Sequence, residues 1–234
     1  MKTSSLALCH CLVFAWYAFL IHSITHLLDP EKKTGIPGYA GPWKFLTCLH
    51  VALQAIFYGV SLLADVCVLT KKYRIAKSIF PLRDLIFASL AFPMSMFVFT
   101  IFWILFSYDR ELVFPKNLDL VILPWLNHAM HSAIFPLTLL DMFITPRRYP
   151  SKAKGLTLTA ATAFAYMGWM EQIRMVTGKR PYPIFEALSP FGIGVLLLGS
   201  FVFVVIFYNV GEFLCRMIWG DSIVLLDVYK KKSK

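Results

Sequence analysis

Long apolar runs separated by short polar segments dominate this chain. Six runs reach about the 20 residues that an α-helix needs to cross a bilayer: approximately Leu6–Leu28, Trp43–Leu69, Ile79–Phe106, Leu118–Ile144, Gly155–Val176 and Ala187–Leu214. Stretches such as DPEKKTGIPGYAGP, TKKYRIAKS and TPRRYPSKAK divide them, with Pro and Gly gathered where a helix interior would not hold them. The pattern predicts an all-α polytopic membrane protein. A bundle of six transmembrane helices over residues 1–214 is followed by a basic tail over 215–234. The first run is too long for the core of a signal peptide and carries His10, His22 and His26, so it reads as a retained span.

Composition supports lipid as the solvent. Only 15% of residues are charged, against about 25% in soluble domains. The net charge of +10 would suit nucleic acid in a soluble protein, but no basic patch interleaved with aromatics occurs, and that partner is set aside. The placement of the charge is more informative. Fifteen Lys and Arg residues fall on the side shared by the two termini and the Lys71–Lys77 and Arg147–Lys154 loops, against seven on the other side. Lys and Arg excess marks the cytoplasm, so both termini are expected there.

The five cysteines form no C-x-x-C pair and no even framework. Four of them (Cys9, Cys11, Cys67 and Cys215) fall near the cytoplasmic ends of spans, as sites for palmitate or as small buried apolar residues. The closing KKSK has the form of a di-lysine retrieval signal for the endoplasmic reticulum. It reads equally as a polybasic tail drawn to anionic lipid. Nothing in the chain fixes an oligomeric state.

The candidate chemistry lies in polar groups placed where they are costly. Ionisable and amide groups within spans usually face the bundle interior. The segment WLNHAMHSAIFP carries Asn127, His128 and His131 on one side of a helix. Pro136 removes the donor for the Ser132 carbonyl, and a bend is expected one turn beyond His131. Thr47, His50 and Gln54 share a face of the second run, and Glu171 and Arg174 are spaced to pair. A threonine hydroxyl becomes a nucleophile when a neutral histidine takes its proton, so Thr47 and His131 on two facing helices would form such a pair. Asn127 or His128 could orient the imidazole, and Asn127 or His50 could donate to an oxyanion.

Other readings stand beside this one. HAMH and the His22/His26 pair have spacings seen in zinc or iron sites, without a carboxylate in company, and His50 with His128 or His131 could face a haem. All of these compete with plain structural packing, and no metal and no cofactor is expected. Asp65, Asp84, Asp141 and Glu212 read as interfacial ion pairs. Thr157, Ala161 and Ala165 form a small-residue stripe suited to close helix packing.

The segments GPWKFLTCLH, LQAIFYGVSLLAD, LPWLNHAMHSAIFPLTL and YPSKAKGLTL closely resemble the family of androgen-induced and androgen-dependent TFPI-regulating proteins, over nearly the whole chain. The resemblance implies a six-span hydrolase that splits fatty acid esters of hydroxy fatty acids. Its nucleophile would be the threonine of W-K-x-x-T, Thr47 here, and its histidine the second of N-H-x-x-H, His131 here. It also implies a lipid substrate, a place in the cell membrane at caveolae, and a link to coagulation through tissue factor pathway inhibitor. The alternative is a non-enzymatic membrane scaffold or regulator of endothelial anticoagulant function.

Overall fold

The computed structural model describes residues 2–27 and 39–232, with side chains as far as Gly220. Segment 28–38, which carries Lys32, Lys33 and the end of the first apolar run, lies outside the described residues, as does the end of the KKSK tail. Among the described residues every regular element is helical: α1 (Thr3–Leu27), a 3-10 turn (Gly41–Lys44), α2 (Leu46–Leu69), α3 (Tyr73–Ile86), a π turn (Phe87–Ala91), α4 (Phe92–Asp109), short 3-10 turns at Arg110–Leu112 and Lys116–Leu120, α5 (Pro124–His131), α6 (Ile134–Ile144), α7 (Lys152–Thr177), the one-turn α8 (Ile184–Ala187) and α9 (Pro190–Lys232).

Helix thus occupies all six apolar runs, but length and apolarity single out four stretches fit to cross a membrane: Thr3–His26, Leu46–Leu69, Tyr73–Leu112 and Pro190–Gly220. The other two runs differ for physical reasons. The fourth is divided between α5 and α6, too short singly. The fifth, α7, carries Thr157, Thr159, Thr162, Glu171, Gln172 and Arg174 and is less apolar. The chain has the apolar helices of a multi-pass membrane protein. α9 runs without a break past residue 214.

Prolines shape two of the helices. Pro93 lacks the N–H that would reach the Ser89 carbonyl. There the backbone widens into the π turn, with the Phe92 N–H bonding Phe87 O, and Thr159 Oγ1 from α7 donates to Ser89 O at 2.8 Å. The bend expected one turn beyond His131 falls earlier: α5 stops at His131, Ser132 and Ala133 form a turn, and α6 resumes at Ile134 with Pro136 in its first turn, where its missing N–H costs no helical bond.

The core gathers Tyr17, Leu20 and Ile24 of α1, Val51, Phe57 and Tyr58 of α2, Phe87, Phe92, Leu126 and Ile134. Since lipid tails are as apolar as these side chains, helix association in a membrane rests on close packing and polar contacts. Close approach is visible at Gly155 and Gly211. A Cβ at Gly155 would collide with the Tyr208 hydroxyl, and one at Gly211 would lie 2.5 Å from the Phe92 ring. These glycines do what the Thr157–Ala161–Ala165 stripe was expected to do; that stripe faces outward, and α7 buries Gly155, Thr159, Met170 and Ile173 instead.

The expected acidic pairs form at the end of the bundle away from Thr47, in two patterns. Asp84 pairs with Arg83 at 2.7 Å, and Glu212 with Arg216 at 2.6 Å. Asp65 and Asp141 instead join a buried network. His10 Nδ1 lies 2.6 Å from Asp65 and its Nε2 lies 2.9 Å from Asp141. Thr145 donates to Asp141 at 2.9 Å, and Arg147, fully buried, pairs with Asp141. The Arg147 guanidinium sits 3.4 Å above the Phe87 ring.

Candidate functional site

The site is built on the first turn of α2. Before it the chain makes a tight entry: Ala40 and Gly41 both take positive φ, 62° and 46°, and Pro42 opens the 3-10 turn. The unpaired groups of this entry find partners on α7 and the loop after it. Trp169 Nε1 donates to Trp43 O at 3.2 Å, and Tyr166 Oη donates to Lys44 O at 3.2 Å. The Leu46 N–H, one of the orphan donors at a helix start, points at the hydroxyls of Tyr166 (3.0 Å) and Tyr182 (2.9 Å). Thr47, the next residue, is therefore fixed by an anchored turn.

Thr47 Oγ1 lies 3.2 Å from His131 Nε2, across 84 residues of sequence. The His131 Nδ1 is 2.6 Å from Asn127 Oδ1 and 3.0 Å from Asn127 O, one helical turn earlier on α5. An amide oxygen and a carbonyl accept only, so Nδ1 carries the proton and the Nε2 lone pair faces the threonine hydroxyl. The imidazole is clamped further by Phe102 of α4, stacked on it with centroids 3.5 Å apart and planes 12° from parallel. All three polar residues are nearly enclosed: Thr47 is 9%, His131 6% and Asn127 8% exposed.

Thr47 and His131 line a cavity of about 200 Å³ whose remaining wall is almost wholly apolar, including Phe97, Ile101 and Leu105 of α4, Met167 of α7 and Leu197 of α9. The arrangement has the parts of a nucleophile–base pair with an orienting group. A hydroxyl faces an imidazole lone pair, an amide fixes the tautomer, and a greasy chamber adjoins them.

The other sequence candidates fall elsewhere. His50 is buried one turn further along α2, where its Nε2 lies 2.9 Å from Ser95 Oγ. Gln54, Ser95 and Thr138 complete that separate cluster, with Gln54 2.7 Å and Thr138 2.8 Å from Ser95. His50 does not line the cavity. His128 is on the exposed side of α5, 3.0 Å from Ser132 Oγ and stacked on Trp103. The His22 and His26 rings lie 4.2 Å apart, tilted by 52°, on an exposed face. Among the described residues no three His, Cys, Asp or Glu side chains gather as a metal site would require, and both nitrogens of His131 face other groups. Glu171 does pair with Arg174, at 2.6 Å, and with Arg180 as well.

The chain matches the family model described as FAR-17a/AIG1-like protein over residues 5–216. It belongs to that family. It is 45% identical to the androgen-dependent TFPI-regulating protein of Homo sapiens over 221 residues, 94% of this chain and 96% of the relative. Identity to the Mus musculus protein of the same name is 41% over 94% of this chain and 96% of the relative. The androgen-induced gene 1 protein of Homo sapiens is 37% identical over 84% of this chain and 85% of its own length. No solved structure matches the chain.

Proposed function

We propose that this protein is an intramembrane lipid esterase that hydrolyses fatty acid esters of hydroxy fatty acids, with Thr47 as nucleophile and His131 as general base. The observation that carries the reading is the Asn127–His131–Thr47 line of contacts ending on an apolar cavity. In the first half-reaction Thr47 Oγ attacks the ester carbonyl carbon while its proton passes to His131 Nε2. The tetrahedral intermediate then expels the hydroxy fatty acid, whose alkoxide oxygen takes that proton from His131. In the second, water attacks the acyl-threonine with His131 again as base, releasing the fatty acid and restoring Thr47. A cavity of about 200 Å³ is below the range of about 300–1,000 Å³ usual for drug-sized ligands. It therefore fits the part of a two-chain lipid around the ester, and the chains extend into the bilayer.

The same reading includes six spans with both termini cytoplasmic, because α5–α6 and α7 complete the bundle around the cavity and positive charge collects on one side. The deciding experiment is labelling of purified protein with a fluorophosphonate, followed by mapping of the modified residue. Label on Thr47 that substrate blocks is expected; hydrolysis with the label elsewhere overturns the assignment.

A second reading has its own support in the relative named a TFPI-regulating protein, 45% identical to this chain. On it the chain regulates tissue factor pathway inhibitor in the cell membrane, at caveolae, as a scaffold independent of ester hydrolysis. Endothelial cells carrying only Thr47→Ala protein separate the two: undiminished inhibitor activity at the cell surface assigns regulation to the scaffold, and loss assigns it to the esterase. Location divides in the same cells, since loss of Lys231 and Lys232 of KKSK moves protein to the surface only if the tail acts as a retrieval signal.

A further inference from the structure

A tetrahedral intermediate at Thr47 needs hydrogen-bond donors for its negative oxygen, and the groups suggested by sequence are committed elsewhere. Asn127 does not line the cavity and turns its Oδ1 to His131, and His50 is in the Ser95 cluster. Two hydroxyls do lie beside the nucleophile, on Tyr166 and Tyr182, and both residues line the cavity. Their protons are used differently. The Tyr166 proton goes to Lys44 O at 3.2 Å. Tyr182 Oη accepts the Leu46 N–H at 2.9 Å, and its other hydroxyl contact is with Tyr166 Oη at 3.5 Å. That separation is beyond the 2.5–3.0 Å usual for a hydroxyl pair, so the Tyr182 proton has no good acceptor.

Its place is also informative. Successive amides in the first turn of a helix point the same way along the axis. An oxygen seated on the Leu46 N–H is thus one residue from the Thr47 N–H, another amide of the first helical turn, and Leu46, Thr47 and Tyr182 all line the cavity. Accepting the Leu46 bond polarises the phenol and strengthens it as a donor. Resting on the esterase reading above, we propose that the Tyr182 hydroxyl, with the Thr47 backbone N–H, forms the oxyanion hole. Tyr166 is a positioning residue that holds the entry to α2. Burial pushes the Tyr182 phenol up to about 12, so it keeps its proton across the neutral range.

The test uses the purified full chain in nanodiscs. Tyr182→Phe is expected to lower kcat by about 10²–10³-fold, as loss of one oxyanion donor does, at unchanged KM. Tyr166→Phe is expected to lower it by less than about tenfold. A long-chain trifluoromethyl ketone, which adds Thr47 Oγ to its carbonyl and places an oxyanion in the hole, should lose about 100-fold in affinity for Tyr182→Phe, while a non-hydrolysable ether analogue of the substrate binds as before. Replacing Tyr182 with 3,5-difluorotyrosine keeps the shape if the phenylalanine variant fails to fold. The more acidic phenol ionises within the assay range and ceases to donate, so kcat should fall as pH rises where the unsubstituted enzyme's does not. Tyr166 and Cys48 are the titratable neighbours on that side, and Tyr166→Phe controls for the first. Full activity in Tyr182→Phe, equal losses of ketone and ether affinity, or an unaltered pH profile in the fluorotyrosine protein each overturn the proposal. A wild-type chain that neither hydrolyses the ester nor takes label at Thr47 overturns the esterase reading itself, and the oxyanion hole with it.

Discussion

Two buried polar assemblies sit at opposite ends of α2, near Thr47 and near Asp65, eighteen residues apart and so separated by about 27 Å along the helix. Both place costly groups in an apolar bundle, yet they differ in what is left over. At the Asp65 end, His10, Asp65, Asp141 and Arg147 contact one another, and the Arg147 nitrogens that lack a hydrogen-bond partner, Nε and Nη1, lie against the Phe87 ring rather than a void. His10 bridges the two carboxylates through its two ring nitrogens. None of these residues reaches the cavity. At the Thr47 end a hydroxyl meets an imidazole nitrogen, and both residues, with Tyr182, line a void. A charge cluster away from the cavity joins α1, α2 and α6; the Thr47–His131 pair lies on the cavity wall.

The sharpest way to break this contrast is to remove either member of the open pair. Thr47→Ala and His131→Ala should each lower ester hydrolysis by about 10⁴-fold or more, since nucleophile and base act as a unit. The thermal midpoint in detergent should stay within a few degrees of wild type. Hydrolysis retained by either well-folded variant would end the esterase assignment. The charge cluster should respond in the opposite currency. Asp141→Ala leaves Arg147 without its carboxylate and His10 with Asp65 alone, and breaking a buried pair costs about 3–5 kcal/mol. Folded yield and unfolding midpoint should collapse, while the fraction that folds keeps its specific activity. Normal stability in Asp141→Ala would show that the cluster is not the clamp its geometry describes.

Much of this was legible in the order of residues, and the boundary is instructive. Helix fell on all six apolar runs because unbroken apolarity over some 20 residues has few other solutions. A bend in this segment followed from Pro136, but its place, directly after His131 rather than one turn on, did not. The face carrying Thr47, His50 and Gln54 was readable from spacing, and all three are buried. Periodicity, however, names a face and not the partner across it. It could not separate Thr47, which meets His131, from His50, one turn on, which meets Ser95. It also put the close-packed face of α7 on Thr157, Ala161 and Ala165, since small size alone does not say which side meets a neighbour; Gly155 and Thr159 do. Tyr166 and Tyr182 had no signal at all. Their role depends on a helix start 120 and 136 residues away, a relation only the packed structure supplies.

Asn127 sharpens the open site at smaller scale. Its side chain holds His131 in the useful tautomer, but the backbone carbonyl of the same residue also accepts from Nδ1, at 3.0 Å. Asn127→Ala keeps that second acceptor. The expected loss is therefore about tenfold in kcat, with KM unchanged, well short of the 10⁴-fold loss seen when a sole tautomer-fixing group is lost. A loss as large as that of His131→Ala would mean that the backbone bond does not hold the ring alone.

The smallest effect should come from His128, the other histidine of HAMH. It lies three residues before His131, but its ring turns away to Ser132 and Trp103 on the exposed side of α5. A surface substitution clear of caps and buried networks usually changes stability by less than about 0.5 kcal/mol, and no atom of His128 lines the cavity of Thr47 and His131. His128→Ala should hydrolyse substrate within about twofold of wild type and melt at the same temperature, measured beside His131→Ala in one preparation. If the two variants were equally inactive, the base would have to be sought on the exposed face of α5, and Thr47 would lose its partner.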